Sequence, residues 1–301
     1  MDGPDYFTLL WKNKKNNYKI AVIEKDPENK KGGLLRSEII DGFTFDTAGP
    51  HLLFSKNSEI LSSILKFLGN NISKRKRNNY VLYDDKFIPY PFENGIYQLS
   101  PEKRVNFIKG IIESMIFISK NKEWRPSNFK EWITGFFGEY MAKEYLIPYN
   151  SKIWKRPLEK MAADWVFTPG RLPLPALEDM IKAAAGIPSI GYREQAYFYY
   201  PKAGGIQSLY NSLFQSVAEK GLEFIFGENI ARINRDKDGY YIINDKIRAK
   251  KVFSTIPLPE LLISLDYSQE NRQLANDFDY NSVIVVGIAI SSSTPKQTTV
   301  Y

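Results

Sequence analysis

His51, the single histidine of the chain, closes the run Phe45-Asp46-Thr47-Ala48-Gly49-Pro50-His51, with an acid and a glycine loop shortly before it. Tyr18-Lys19-Ile20-Ala21-Val22-Ile23 is apolar and β-branched, the pattern of a strand buried on both faces. Glu24 stands at its carboxyl end, where a carboxylate can hydrogen-bond a ribose hydroxyl. Gly32-Gly33-Leu34-Leu35-Arg36-Ser37 follows, and glycines, having no Cβ, let backbone come close to a bound group. The Gly-Pro-His turn would then bring one imidazole to that group. Taken singly, a strand ending in Glu, a Gly-Pro turn and a lone His are ordinary structural features. Their order within about 30 residues, the size of a βαβ unit, reads as the flavin half of a dinucleotide-binding domain.

The elements that must position these residues fall into three regions, at 1–92, 93–190 and 191–301. The first reads as helix, strand, glycine loops, strand, a helix near Ser58 to Leu68 and a hairpin turning at Asp84-Asp85. In the second the period becomes helical: Val105, Ile108, Ile111, Ile112, Met115 and Ile116 recur at steps of three and four, and Ser100-Pro101 fits a helix start. The third opens with a strand at Ala196-Tyr197-Phe198-Tyr199-Tyr200, then a helix from about Gly205 to Lys220. Short strands run from Leu222 to Ser254 with a turn at Asp236-Lys237-Asp238-Gly239, and a last strand spans Ser282 to Ala289. The fold class expected is α/β: a Rossmann-like domain interrupted by a helical insert and followed by an antiparallel sheet.

With 301 residues, 43% of them hydrophobic, the chain can bury a large core in more than one domain. It has no cysteine, which excludes disulfides, thiol nucleophiles and cysteine-ligated metals, and no metal site is expected. The start, Met1-Asp2-Gly3-Pro4-Asp5-Tyr6-Phe7, has no basic region followed by an apolar one, and no stretch is long and uncharged enough to span a bilayer, so a cytoplasmic protein is expected. A net charge of +7, from 41 Lys plus Arg against 34 Asp plus Glu, favours anionic partners. Its two dense patches, Lys12-Asn13-Lys14-Lys15 and Ser73-Lys74-Arg75-Lys76-Arg77, read as solvated loops, and with no accompanying motif no nucleic-acid partner is expected.

Beyond the glycine loops, further runs carry a resemblance. They are Ile88-Pro89-Tyr90-Pro91-Phe92-Glu93-Asn94, Asn128-Phe129-Lys130-Glu131-Trp132-Ile133 and Ile147-Pro148-Tyr149-Asn150-Ser151-Lys152-Ile153-Trp154. Gly170-Arg171-Leu172-Pro173, Phe198-Tyr199-Tyr200-Pro201 with Gly204-Gly205, and Val252-Phe253-Ser254-Thr255-Ile256-Pro257, read as a strand, follow. Together they resemble the UDP-galactopyranose mutases, especially the eukaryotic type, within the wider flavin-dependent amine oxidase and protoporphyrinogen oxidase group. The Pro-Tyr-Asn-x-Lys-x-Trp and Tyr-Pro-Phe runs are the specific signals, whereas Gly-Gly and Gly-Pro-His are shared across that group.

The resemblance implies FAD, active when reduced, and a UDP-sugar whose pyranose and furanose forms interconvert through an adduct at flavin N5. Glu24, Gly32, Gly33, Leu34, Arg36, Gly49, Pro50, His51 and Arg77 would hold the cofactor, His51 shaping the flavin environment. Tyr90, Phe92, Tyr145, Tyr149 and Trp154 would present rings to uridine, although core packing is the ordinary role of such aromatics. Asn150 would hydrogen-bond the nucleotide, Gln195 would line the substrate, and Arg171 would grip the diphosphate, for which a guanidinium offers a planar, permanently charged fork. A homo-oligomer is left open.

The chain also departs from the family pattern. Counting back from Glu24 puts Met1, Gly3 and Tyr6 at the GxGxxG positions, with only the middle glycine present and Tyr6 where close helix–strand approach needs the third. Weak FAD binding by an N- and C-terminally incomplete, or inactive, member is therefore an expectation. Glu93 replaces a glutamine and Gln195 an asparagine; a carboxylate facing a diphosphate would be repelled unless protonated or turned away. Two other functions compete: an oxidoreductase of the amine or protoporphyrinogen oxidase kind, and a non-enzymatic remnant binding a nucleotide or partner.

Overall fold

The computed structural model describes residues 19–167, 176–188, 196–265, 268–289 and 299–300. In chain order its elements are β1 (Ala21–Glu24), β2 (Ser37–Ile40), β3 (Phe43–Asp46), α1 (Ser58–Leu65), β4 (Ile72–Lys76), β5 (Asn79–Tyr83), β6 (Lys86–Pro89) and α2 (Phe92–Gly95). The helices α3 (Pro101–Lys120), α4 (Phe129–Met141), α5 (Ile147–Trp154) and α6 (Leu177–Ala184) follow. Then come β7 (Tyr197–Pro201), α7 (Gln207–Ala218), β8 (Glu223–Phe226), β9 (Ile233–Arg235), β10 (Tyr241–Ile243) and β11 (Ile247–Ala249). The last are α8 (Leu258–Leu265), α9 (Gln269–Asn276) and β12 (Thr299–Val300). No helix among the described residues is long and apolar enough to cross a membrane.

The chain divides into two compact units. The first comprises the residues up to Leu53, Asn57–Ser73 and Tyr200–Ala289. In it β1 pairs in parallel with β8, Glu24 opposite Phe226. Leu209, Leu213 and Val217 of α7 are buried at four-residue steps, and Leu209 and Leu213 cluster with Leu68 and Ile206. The strands β9, β10 and β11 form an antiparallel meander. Its first turn is closed by Asp236, whose Oδ1 accepts from the N–H groups of Asp238 and Tyr240, both at 2.9 Å.

The second unit comprises Phe54–Lys56, Lys74–Tyr199 and the residues from Ile290. The β5–β6 hairpin turns at Asp84 and Asp85, both at positive φ, as a two-residue hairpin loop requires. Ser100 caps α3, its side chain accepting from the Lys103 N–H, with Pro101 at the first helical position. Asn128 caps α4 and Glu131 reaches back to the Ser127 N–H at 2.9 Å. The core is formed by β5, β6 and the helices, from Val81, Ile88, Phe92 and Phe107 through Trp132, Met141 and Tyr145.

Four expectations are corrected. The helix α3 forms as its period requires, but it buries Phe107, Gly110, Ile111 and Ser114, leaving Ile112, Met115, Ile116 and, at 61%, Val105 exposed. Gly110 selects that face, because it lets the Gly138 backbone of α4 come within van der Waals reach, and Ser114 donates to the Gly135 carbonyl. The basic run after Ser73 is strand rather than loop: β4 pairs with β7, and the Lys74 ammonium lies 5.0 Å from the Tyr197 ring centroid. The strand ending in Glu24 has a single described partner, with Ala21 exposed and its other residues half-buried. Val252–Pro257 and Ser282–Ala289 form no strand; β-branched composition favoured one, but neither segment has a described ladder partner, and Ile284 is 89% exposed.

Candidate functional site

In the first unit, β1 ends with Glu24 half-buried, one carboxylate oxygen accepting from the Asp26 N–H at 3.0 Å. Burial, and secondarily the Glu24 charge, push the Tyr210 phenol up to about 12. Beyond the strand, Gly32 (φ 121°) and Gly33 (φ 51°) adopt backbone that glycine supplies without a Cβ penalty. A Cβ on Gly32 would lie 2.9 Å from Gln207 Nε2, whereas one on Gly33 would point into open space. Leu34 is exposed, and the half-buried Arg36 has its Nε shielded from solvent without a hydrogen-bond partner among the described residues. Gly49 (φ 85°) also faces open space, with Pro50 exposed and His51 half-buried after it.

These features fit a flavin nucleotide on that side. An orphaned guanidinium N–H calls for an acceptor, and Gly33 and Gly49 leave the volume that a side chain would fill. Met1, Gly3 and Tyr6 lie outside the described residues.

Sequence reasoning missed what holds these turns: Ser37, Asp46, Tyr200 and Gln207 form one hydrogen-bonded cluster. Ser37, Asp46 and Tyr200 each stand in a separate run of the sequence, with nothing local to join them.

In the second unit the Arg77 guanidinium lies over the Phe54 ring, 5.2 Å from its centroid, and the Arg77 backbone N–H donates to the Ala196 carbonyl at 2.9 Å. The Tyr90 N–H donates to the Asn79 carbonyl at 2.9 Å. Between α4 and α5 the chain makes a π-helical turn, Ala142–Leu146, a geometry frequent at functional sites, and it carries Tyr145. The Tyr145 ring is stacked between Phe92 (4.0 Å, 19°) and Tyr149 (5.2 Å, 28°). Phe92 is 0% and Tyr145 6% exposed, which corrects the place of both among the rings offered to a base: both are packed in the core, Phe92 backing Tyr145. Tyr90 and Tyr149 remain half-buried beside the same core.

On α5, Asn150 and Trp154 lie one turn apart on one helix face. Asn150 Nδ2 donates to the Leu146 carbonyl at 2.8 Å, which orients the amide. Trp154 packs edge-on against Trp165, centroids 5.3 Å apart. Glu93 is 6% exposed, and burial pushes its carboxyl from the ordinary 4.5 to about 7, offset in part by its own backbone N–H. The acid is thus held neutral below that pH. Arg171 and Gln195 lie outside the described residues.

No family model matches the chain. Among solved structures it is similar to a reduced UDP-galactopyranose mutase, at 23% identity and a TM-score of 0.71, over 87% of this chain and 61% of that one. It is also similar to an oxidoreductase from Methanosarcina mazei, at 15% identity and a TM-score of 0.54, over 87% of this chain and 60% of that one. A putrescine oxidase with redesigned cofactor binding matches at 15% identity and a TM-score of 0.54, over 91% of this chain and 61% of the oxidase. The chain thus spans about three fifths of the length of each. At these identities the likeness establishes the fold alone, an α/β architecture shared with the mutase, the oxidoreductase and the putrescine oxidase.

Proposed function

We propose that the chain belongs to a UDP-galactopyranose mutase-like isomerase that uses reduced FAD to interconvert the pyranose and furanose forms of a UDP-sugar. The observation that carries this reading is the α5 region, where Asn150 and Trp154 share a helix face beside the Tyr145–Tyr149 stack. An oriented amide next to aromatic rings suits a nucleoside and has no evident work on an amine or a porphyrinogen. The TM-score of 0.71 to the mutase, against 0.54 to the putrescine oxidase, supports the same choice.

Bound reduced FAD would supply a nucleophilic N5 for the anomeric carbon, so no protein nucleophile is needed. Glu24 would bond a ribose hydroxyl, Arg36 and Arg77 would face anionic or electron-rich parts of the cofactor, and Gly33 and Gly49 would admit it closely. The Pro50-His51 turn would border the ring system. Leu34, exposed at the tip of the glycine loop, would cover the nucleotide with apolar surface. On the substrate side Tyr90, Tyr149 and Trp154 would hold uridine, with Tyr145 behind them, and Asn150 would bond the base. Gln195 would line the sugar, and Arg171 would hold the diphosphate both while it is bonded to the sugar and while it is free.

Calorimetric titration with UDP tests the nucleotide half of the proposal. The wild type is expected to bind UDP, and Arg171→Ala to lose on the order of 1.5 to 3 kcal/mol of that affinity, the worth of a charge-assisted pair. A wild type that does not bind UDP, or a folded variant with unchanged affinity, contradicts the assignment.

A further inference from the structure

Asp46 ends β3, and its carboxylate collects donors from three parts of the chain. Ser37 Oγ donates to Oδ1 at 2.6 Å, the Ile206 N–H donates to the same oxygen at 3.2 Å, and the Tyr200 hydroxyl donates to Oδ2. Ser37 is held in turn: its Oγ accepts from the Gln207 N–H at 3.1 Å, and its own N–H donates to Gln207 Oε1 at 3.2 Å. Gln207 Nε2 donates to the Lys31 carbonyl at 3.0 Å, next to Gly32. The Thr47 N–H and hydroxyl both donate to the Arg36 carbonyl, at 3.0 and 3.1 Å. Gly205, at φ 61°, is seated directly on this group, since a Cβ there would strike Ser37 Oγ and lie 2.8 Å from Asp46 Oδ1.

An ionised carboxylate only accepts, so every one of these donors must turn toward it, and charge makes each bond stronger than its neutral counterpart. Burial together with the Asp46 bond raises the Tyr200 phenol above its usual range, so that hydroxyl keeps its proton and stays a donor. Asp46 thus bonds Ser37, Tyr200 and the Ile206 N–H beside the Gly204-Gly205 turn directly, reaches the Gly32-Gly33 loop through Ser37 and Gln207, and precedes the Thr47-Ala48-Gly49 turn that Thr47 ties to Arg36, three turns which no local sequence signal connects.

We propose that Asp46 is a positioning residue that locks these three glycine turns into the single arrangement in which they meet the flavin. The lock itself follows from the hydrogen bonds; its purpose rests on the function proposed above. Amide hydrogen exchange on the protein without cofactor reads the lock directly. In Asp46→Ala, exchange in segments 32–36, 47–51 and 204–208 is expected to rise together by tenfold or more while β9, β10 and β11 keep their protection. Asp46→Asn keeps the acceptor for Ser37 and Ile206, and the Tyr200 hydroxyl can rotate to accept from the amide, so it should fall between.

Titration with FAD then links the lock to the site. Asp46→Ala is expected to raise the FAD dissociation constant at least tenfold, and at saturation Asp46→Asn should alter the visible circular dichroism of the bound flavin, which a loss of stability alone would not change. Should Asp46→Ala fail to fold, Ser37→Ala removes one donor without touching the carboxylate and carries the same expectations at smaller size. Exchange that rises only beside the substituted residue, or variants that bind FAD with wild-type affinity and dichroism, overturns the proposal. A wild type that shows the coupled exchange but binds no FAD overturns the flavin assignment and leaves the lock without that purpose.

Discussion

Replacing Gly138 with alanine is expected to cost the helical unit on the order of 2 to 6 kcal/mol, a large part of the total stability of a marginally stable domain. Two independent penalties add. Gly138 sits inside α4 at φ 80° and ψ 160°, a region open essentially to glycine, where another residue stores about 1 to 3 kcal/mol. A Cβ there would also be driven into the Gly110 backbone of α3, which is neither flexible nor free to retreat, since Ser114 on the same helix is bonded to the Gly135 carbonyl. Overpacking of that sort adds about 1 to 3 kcal/mol. Gly33→Ala is the contrast: its φ of 51° is unfavourable, but the space beside it is open, so the cost should stay near the 1 to 2 kcal/mol of a left-handed residue. Denaturant unfolding monitored by the tryptophans decides, and equal midpoints for the two variants would contradict the close helix contact.

The second large effect concerns Glu93 and depends on pH. Burial holds its carboxyl near 7 rather than 4.5. Below pH 4.5 the acid is protonated in folded and unfolded chains alike and has no effect on stability. Between 4.5 and 7 the unfolded chain ionises while the folded one does not, so stability falls as pH rises; above 7 the whole difference, about 3 kcal/mol, is lost. Glu93→Gln cannot ionise. Its unfolding free energy relative to the wild type should therefore climb by about 3 kcal/mol between pH 4 and pH 8. Parallel curves for the two proteins across that range would mean that the carboxyl is solvated or paired. In the same window a UDP complex of the wild type should weaken with rising pH more than that of the variant, because the wild type would place a new anion beside the diphosphate.

What could be read in advance was whatever local chemistry dictates. Asp84-Asp85 sets a two-residue turn, Ser100-Pro101 starts a helix, and Asp236 closes a turn through its own carboxylate, each within four residues. The fold class follows from such elements in order. What stayed hidden depends on partners far along the chain. The buried face of α3 is chosen where Gly110 meets the Gly138 backbone of α4, not by the apolar count of α3 itself, and so Val105 and Met115 lie outside. The Lys74 strand needs Tyr197, more than a hundred residues away, to become a strand. Asp46 reaches Ile206 across 160 positions, so Ser37, Asp46 and Tyr200 each stood in a separate run and nothing local showed that they join. Phe92 matched the motif correctly as a residue type, but only packing assigned its ring to Tyr145.

The central claim is that this chain's residues serve a net isomerisation rather than an oxidation. Protein supplemented with FAD, reduced with dithionite and incubated anaerobically with UDP-galactopyranose tests it most directly, with the sugar nucleotides separated by chromatography. The account predicts that UDP-galactofuranose appears, that turnover requires prior reduction, and that no reductant is consumed in proportion to product. No furanose at saturating reduced flavin, together with oxygen uptake when an amine or a porphyrinogen is supplied to the oxidised protein, would contradict it.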